Sequence, residues 1–599
     1  MISDYAFNQI KEFIESLPED CFKPLSQEDL PDKLAPISNE CGWRTKIAIG
    51  VEWVDLLVTL TKHFPYKVPR IYYVDPPFLI PHMSTSRDNH LCIVDNSSTF
   101  LDSSYPILIL IESIEIAVQL IETGVNKENT NDFVKEFVNY WIISGVVYNW
   151  LSIIKPESFF KTIKFIEFVP ELNKTNWLAA ETDSQGLSWL ANIDRQINSI
   201  TNKGRTIKKI YQGIYLHLNE PVLPPYPKNN FEIYQIFKRS LSPKDLYLFN
   251  HFLFVNSVES IPVIISFFYN TKHDERRILG GFVLKRPNIC KSKKPLLAGF
   301  RNSKIPPALQ MQRVFSETAI LKSNILRMDN ERLQHRIGDH KMIVLDNKTI
   351  LVIGCGSIGC RIALNCALAG VEKLILIDHD KLEADNIARH ICSMKDIGLY
   401  KVEAVSKYIK NRMPHVDVVP LHENGYDLLS NHKQLFLDSD IIVSATGDKT
   451  FDLFLNELNL SISTLYSWIE INGYASHSLL VNRRKGGCFN CILDEFKNDQ
   501  HNCVTSEAEE VLQQEAGCNT IYLPFSAIAS DTAAGFATRL CLSYLSEKIP
   551  VSEYWIFYGD LYDAVEKELK ISVPVENSFN LHRERISRKL NCSSCKRVG

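Results

Sequence analysis

LVIGCGSIGCRIA, Leu351 to Ala363, is the stretch whose reading decides the fold. Its first residues are an apolar strand, its glycines a turn, and its last residues the start of a helix. Gly354, Gly356 and Gly359 form GxGxxG, which allows a tight turn, close approach of backbone to phosphate and close helix–strand packing. The helix N-terminus that follows offers unpaired N–H groups and a positive dipole end to an anion. About twenty residues on, LILIDHD (Leu374 to Asp380) is a second apolar strand ending in Asp378, where an acid can hydrogen-bond ribose hydroxyls. Together these make a nucleotide-binding βαβ unit. An NAD-dependent enzyme is the competing reading of the same motif.

The residues downstream favour ATP. IDHDKLEADNIARHICSMKDIGLYKVEAV holds Asp378, Asp380, Asn386, Arg389 and Lys401. A dehydrogenase needs only the ribose acid. Two cations in this run suit a triphosphate and charge developing at its α-phosphorus. Further on, SDIIVSATGDKTFD reads as another buried strand ending at Asp448. That carboxylate falls at the carboxyl end of the sheet, where α/β ligands bind, and suits Mg²⁺.

GCGSIG, the D-x-D-x5-N-x2-R-H pattern from Asp378 to His390, Lys401 within YKVEA, and TGD resemble the ubiquitin-activating enzyme superfamily of ThiF/MoeB adenylyltransferase type. The resemblance covers about residues 320 to 599, a little under half of the chain. It implies a Rossmann-like adenylation domain using ATP and Mg²⁺. Gly354, Gly356, Gly359, Asp378, Asp380, Asn386 and Asp448 would bind the nucleotide and metal, and Arg389 and Lys401 would act in catalysis. The family has Arg-Gln where this chain has Arg389-His390. It also supplies an arginine from a partner protomer, ahead of the first strand. Arg327, Arg332 and Arg336 in LRMDNERLQHR are the candidates, with Arg332 favoured.

There are fifteen cysteines, with no N-terminal signal peptide and no apolar run of transmembrane length. That points to reduced thiols, metal ligands or nucleophiles in a cytoplasmic protein. Cys488-Phe-Asn-Cys491 and Cys592-Ser-Ser-Cys595 are two CxxC knuckles about a hundred residues apart. Two such knuckles complete a tetrahedral Zn²⁺ site, which would pin the terminal segment onto the adenylation domain; the resembled family has such a pair. Cys518, in EAGCNTIYLPFSAIASDTAAGFATRLCLSYL, lies on a loop before a small-residue helix that begins near Ala527. In the activating enzymes the thioester-forming cysteine can hold such a place, so Cys518 is the expected nucleophile. Cys503 is the runner-up, and Cys541 reads as a buried helical residue.

The N-terminal 150 residues are a different module. Ile10, Phe13, Ile14 and Leu17 suggest an amphipathic helix. Alternating strands follow in TKIAIGVEWVDLLVTLTKHFPYKVPRIYYVDP, then IPHMSTSRDNHLCIVD with Cys92 in a short apolar run, then helices near Ile107 to Thr123 and Asn131 to Tyr148. Phe64-Pro65, Pro69, His82 and Leu91-Cys92-Ile93 resemble a ubiquitin-conjugating enzyme, which implies a second thioester at Cys92. The family's His-Pro-Asn is absent, and His82 or His90 is the candidate substitute.

The expected organisation is α/β and α+β multidomain: a conjugating-enzyme-like domain at 1–150, an α/β spacer at 151–320, and a ThiF-type adenylation domain at 321–599. In the spacer, RTIKKIYQGIYLHL and IPVIISFFYN read as strands, PVLPPYPKNN as a proline-rich turn or linker, and KRPNICKSKKP as a solvated basic loop. A net charge of −4, with Lys and Arg dispersed, implies neither a nucleic-acid nor a membrane partner.

The order of modules is similar to the fused activating–conjugating proteins of bacterial CBASS anti-phage operons. That resemblance implies adenylation of a protein's C-terminus, in that family a cGAS-like nucleotidyltransferase, thioesters on Cys518 and then Cys92, and transfer to acceptor lysines, with dimerisation through the adenylation domain. Two other classes stay open: a small-molecule enzyme, either a sulfur-carrier adenylyltransferase of ThiF/MoeB type or an oxidoreductase, and a non-catalytic nucleotide-binding scaffold.

Overall fold

A computed structural model describes residues 2–25, 39–50, 52–84, 89–94, 99–142, 148–169, 176–194, 206–255, 260–270, 275–285, 318–334, 345, 347–458, 460–492, 502–505, 513–514, 521–590, 592 and 594–595. Cys518, Arg336 and most of the basic loop at 285–295 lie outside the described residues. The chain forms two compact units. One comprises Met1–Asp183 with Thr206–Leu326, the other Ser184–Arg205 with Arg327–Gly599.

The first unit opens with a four-stranded antiparallel sheet in the order β1 (Lys23–Pro24), β2 (Asn39–Ile49), β3 (Glu52–Thr61), β4 (Arg70–Tyr73). β3 buries Val54 and then every residue from Leu56 on. The amphipathic helix Ile2–Glu15 and the helix Pro106–Val125 pack on this sheet through Ala6, Ile10, Leu110, Ala117 and Ile121. Pro106 starts the second helix, where its missing N–H costs nothing.

The rest of this unit is a closed seven-stranded barrel, which the sequence reading expected only as a mixed spacer. Its strands are β5 (Tyr148–Ser152), β6 (Lys161–Val169), β7 (Asn176–Ala180), β8 (Thr206–His217), β9 (Ser260–Asn270), β10 (Glu275–Lys285) and β11 (Leu321–Arg327), in the order β10-β11-β5-β7-β6-β8-β9. Closure leaves no exposed edge. Trp150, Phe165, Tyr215 and Ile264 form one core; on the opposite face of β8 and β9, Leu216, Val263 and Phe267 meet the helices Asn230–Ser240 and Pro243–Val255. A Cβ at Gly281 would stand 2.9 Å from the Trp150 ring, so glycine there makes room for the indole. The short helices Asp132–Lys135 and Phe137–Trp141 join this core: Phe137 meets Phe267 edge-on at 4.9 Å, and the Trp141 indole N–H donates to Gly281 O at 2.9 Å.

The second unit carries an eight-stranded sheet. β12 (Thr349–Ile353), β13 (Lys373–Ile377), β14 (Asp417–Leu421), β15 (Ile441–Ser444) and β16 (Ser463–Ile469) run parallel in the order β14-β13-β12-β15-β16. β17 (Ala475–Val481) follows antiparallel; β18 (Gln513–Gln514) and β19 (Ile521–Tyr522) form a separate ribbon; β20 (Glu553–Tyr558) and β21 (Leu581–Arg585) complete the sheet beyond β17. Pro420 sits in β14, the edge strand, where a missing N–H is tolerated. The inner strands are buried throughout, as a sheet covered on both faces requires. Helices Gly359–Leu368, Lys401–Arg412 and Ala527–Leu545 cover one face, and Leu428–Leu437 and Lys449–Glu457 the other. The mixed α/β multidomain architecture expected from the sequence is the one found. Among the described residues, no helix is long and apolar enough to cross a membrane.

Candidate functional site

The strand order reverses between β12 and β15, and in open α/β sheets ligands bind in the crevice at such a switch point. The glycine turn leaves β12 there. Gly354 has φ +87° and its Cβ position would press on Ala445 O at 2.7 Å. A Cβ on Gly359 would overlap Gly354 O, so this glycine brings the helix against the strand. Gly356 is different: nothing lies within 4 Å of where its Cβ would be, and it lines a cavity of about 450 Å³. Its backbone is open to a ligand.

A hydrogen-bonded set surrounds the turn. Asp378 accepts the Cys355 N–H at 2.7 Å with one carboxylate oxygen and the Asp380 N–H at 2.9 Å with the other. Each oxygen keeps lone-pair capacity for a further donor. Lys401 pairs with Asp380 at 2.8 Å, and its own N–H donates to Asp380 O at 2.9 Å. This cation holds the Asp380 carboxyl below its ordinary range against the opposing effect of burial, which is the larger single influence. His390 is buried; Nε2 meets Cys355 O at 2.8 Å, and Nδ1 accepts the Cys392 N–H at 3.1 Å. Burial lowers its pKa, so the neutral imidazole with hydrogen on Nε2 fits both bonds. The departure from Arg-Gln thus pins the turn. Arg389 stacks over Phe525 at 4.7 Å, and its carbonyl accepts from Arg361, which also donates to Ser357 O at 2.9 Å. Asn386 accepts the Glu383 N–H at 3.0 Å in a capping box.

Across the cavity mouth, Thr446 and Gly447 leave β15 and Asp448 caps the next helix, accepting from Thr450 N at 2.8 Å and Phe451 N at 3.1 Å. The structure therefore brings the glycine turn, Asp378, Asp380, Arg389 and Lys401 into one connected set and puts Asp448 on the neighbouring strand end. Arg332 is exposed on the short helix Asn330–Gln334. Arg327 is half-buried, pairing with Asp329 at 2.7 Å and Glu331 at 3.3 Å, which commits it to structure.

Sequence reasoning passed over several groups here. Asp452 lines the cavity, hydrogen-bonds Ser444 at 2.5 Å, and is pushed up to about 7 by burial. Its signal was an acid among the buried positions Phe451, Leu455 and Asn456 of an amphipathic helix. Glu470 also lines the cavity, at the end of the wholly buried β16. Cys503, the runner-up nucleophile, is buried and its thiol is pushed up to about 12 by burial, which disfavours the thiolate. Cys541 is buried in its helix, as expected.

The four knuckle cysteines converge in this same unit. Their sulfurs stand 3.9 Å (Cys488–Cys491), 3.5 Å (Cys488–Cys592), 3.5 Å (Cys491–Cys595) and 3.4 Å (Cys488–Cys595) apart. All four ligand atoms lie within 4.8 Å of one another. A tetrahedral centre with metal–sulfur bonds of about 2.3 Å needs sulfurs about 3.8 Å apart, so the donor set fits Zn²⁺. The separations are too long for disulfides.

In the first unit, Leu91 is fully buried in the sheet's core and Cys92 beside it is exposed. His82, in a left-handed conformation at φ +62°, accepts the Cys92 N–H at 2.7 Å. Its ring lies 2.7 Å from Glu136 and 3.3 Å from Asp132. His90 packs on Tyr72 at 5.3 Å.

Residues 329–566 match the ThiF family and residues 38–148 match Prokaryotic E2 family B. The chain is 27% identical over 232 residues to the ATP-dependent ubiquitin transferase-like protein Cap2 of Pseudomonas aeruginosa, covering 38% of this chain and 41% of that one. It is 30% identical over 157 residues to the adenylyltransferase and sulfurtransferase UBA4 of Scheffersomyces stipitis, covering 25% of this chain and 34% of that one. The chain thus spans less than half the length of these relatives. Of solved structures, Escherichia coli MccB with ATP matches at 18% identity and TM-score 0.31, over 43% of this chain and 68% of that one, a likeness too distant to carry an argument.

Proposed function

We propose that this chain, which joins a Prokaryotic E2 family B segment to a ThiF-family segment and is in that sense a fused activating- and conjugating-type protein, uses ATP to activate the C-terminus of a protein partner and passes it through two cysteines to a lysine. One observation carries the reading: the open Gly356 backbone lines one cavity with Thr446 and Gly447 at the sheet's switch point, and the Asp378–Asp380–Lys401 set is hydrogen-bonded to the same glycine turn through the Cys355 N–H. Phosphate would lie against the turn and ribose near Asp378. Lys401 and Arg389 would stabilise charge at the α-phosphorus, with an arginine such as Arg332 from a second protomer. Asp448 would hold Mg²⁺, which neutralises triphosphate charge when bound.

The partner's carboxylate attacks the α-phosphorus and pyrophosphate leaves, giving an acyl-adenylate. The Cys518 thiol then attacks the acyl carbon and AMP departs. Cys92 takes the acyl group by thioester exchange, and an acceptor lysine amine finally forms an isopeptide bond. Two cysteines on one polypeptide raise each other's effective concentration, within a chain or across a homodimer. Cys488, Cys491, Cys592 and Cys595 would hold a structural zinc that fastens the terminal segment. By resemblance to the CBASS proteins, the partner is a cGAS-like nucleotidyltransferase and the setting is anti-phage defence in the cytoplasm.

The test is pyrophosphate release from Mg-ATP in the presence of a purified nucleotidyltransferase of that class with an intact C-terminus. Release that disappears when the partner's last residues are deleted supports the reading. No release, with ATP bound, contradicts it.

A further inference from the structure

Cys92 is held through its backbone by one short β-pairing. Met83 and Leu91 bridge antiparallel, the Ser84 N–H donates to His90 O at 2.6 Å, and the Cys92 N–H donates to His82 O at 2.7 Å. His82 makes this last bond at φ +62°, a conformation that a non-glycine residue keeps only where other contacts enforce it. Those contacts come from Asp132 and Glu136. Glu136 Oε1 lies 2.7 Å from Nδ1 of the His82 ring, and its Oε2 accepts the His82 N–H at 3.3 Å. Asp132 Oδ2 lies 3.3 Å from Nε2. An imidazolium has two N–H donors, and here each meets a carboxylate. One layer out, Lys135 pairs with Asp132 at 2.5 Å and the Tyr140 hydroxyl donates to Glu136 at 3.0 Å. On the paired strand, His90 packs on the Tyr72 ring at 5.3 Å.

The two carboxylates are rooted in the barrel. The helices Asp132–Lys135 and Phe137–Trp141 have four and five residues, too few to hold their shape without tertiary packing. Asp132, Glu136 and Tyr140 recur every fourth residue and reach the His82 side. Val134, Phe137 and Trp141 instead join the core that β8 and β9 build with the barrel's helices. The sheet core around Leu91 is built from other residues. Phe137 meets Phe267 of β9 edge-on, and a Cβ at Gly280 of β10 would stand 2.9 Å from the Phe137 ring. Trp141 donates to Gly281 O, and the Lys322 ammonium of β11 lies over its ring at 4.7 Å. An interior packed this closely transmits position and gives little slack.

We propose that Glu136 and Asp132, carried on helices rooted in the barrel, are positioning residues for acyl transfer at Cys92, acting through the His82 backbone, so that the barrel anchors the cysteine loop and is more than a spacer. This rests on the reading of Cys92 as an acyl carrier. The acyl group hangs from Cys92, and fixing that residue's backbone limits the orientations its carbonyl can take. In the transfer, an amine nitrogen attacks the acyl carbon. The nitrogen–acyl bond forms, the sulfur–acyl bond breaks, and the sulfur leaves with the electron pair and takes up the amine's proton.

The experiment uses the full chain, acetylated with the acetyl thioester of N-acetylcysteamine, freed of donor and treated with hydroxylamine. Loss of acetyl from Cys92 is followed by peptide mass spectrometry relative to Cys21, an exposed cysteine of the same unit. Iodoacetamide alkylation of the unacetylated chain reports access to the Cys92 thiol. In the native chain the relative rate should fall as pH rises above 6.5 and the imidazolium loses its proton. Glu136→Gln keeps the size and removes the charge. It should slow release from Cys92 about tenfold at neutral pH, flatten that pH dependence, and leave alkylation within about twofold. Trp141→Phe keeps the aromatic packing without the bond to Gly281, and should give a smaller loss with the pH dependence retained. Unchanged release in Glu136→Gln, or release and alkylation falling together, overturns the proposal. Unchanged release in Trp141→Phe overturns the barrel's part in it. Native acetyl-Cys92 that reacts no faster than acetyl-Cys21 overturns the reading of Cys92, and this inference with it.

Discussion

The His82 carbonyl accepts the Cys92 N–H at 2.7 Å while the His82 ring stands 2.7 Å from the Glu136 carboxylate. Glu136 also takes the His82 backbone N–H at 3.3 Å and the Tyr140 hydroxyl at 3.0 Å. A non-glycine residue at positive φ persists only where its surroundings over-determine it, and these contacts do so.

The Glu136 hydrogen bond is the main cause that raises the His82 pKa, with burial opposing it. The charged imidazolium therefore contributes stability fully present below the ordinary histidine value of 6.5 and lost as pH rises through the higher folded value. The Cys92 amide should exchange faster as pH climbs through that window, beyond the intrinsic increase. Glu136→Gln should flatten the pH dependence and speed exchange at Cys92 by about tenfold at neutral pH, the worth of one charge-assisted hydrogen bond. Hydrogen-exchange mass spectrometry across pH reads both.

Asp452 titrates the opposite charge with the same sign of effect. Burial pushes its carboxyl from 3.8 up to about 7. Stability is then fully present below about pH 4 and lost as pH rises through about 7. Asp452→Asn should remove this slope and match or exceed the native chain at pH 8, by a few kcal/mol at most. Urea unfolding of the second unit at pH 5 and pH 8 checks it.

The cysteines and Asp448 separate the chemical steps. Asp448 caps the helix Lys449–Glu457, so Asp448→Ala carries a cap loss of about 1 kcal/mol besides any loss of metal binding. Asp448→Asn keeps a capping oxygen and should still abolish pyrophosphate release. Cys518→Ala should leave adenylation intact and block every thioester, whereas Cys92→Ala should leave a trapped thioester on Cys518. Charging of Cys92 in the Cys518→Ala protein overturns that order.

The four-thiol cluster should bind one zinc per chain by elemental analysis. Cys592→Ser with Cys595→Ser should release it and lower the second unit's melting temperature, because a structural metal contributes folding free energy directly. Zinc retained by that double variant contradicts the site.

The fold of the second unit was legible because its signals are local. A glycine turn needs Gly354 at φ +87°, β12, β13 and β15 are continuous apolar runs, and each CxxC is a four-residue pattern. The barrel was not legible. Its closure depends on pairings such as β8 with β9, some fifty residues apart, and on space left at Gly281 for Trp150, neither of which a periodicity reports. Glu470 and His477 were missed for the same reason. Glu470 follows β16 and His477 lies on β17, and only the β16–β17 register brings them within 2.8 Å of each other. Arg327 was one of three candidate arginines, behind Arg332, and its pairing with Asp329 at 2.7 Å is a contact that spacing does not report.

The central claim is ATP-dependent thioester chemistry, and intact-protein mass spectrometry tests it most directly. The full chain is incubated with Mg-ATP and a purified nucleotidyltransferase partner, then measured without and with a thiol reductant. The account predicts a protein-sized adduct that requires ATP, is removed by reductant, and maps to Cys518 when Cys92 is alanine. No adduct, with ATP bound and no pyrophosphate released, would contradict it.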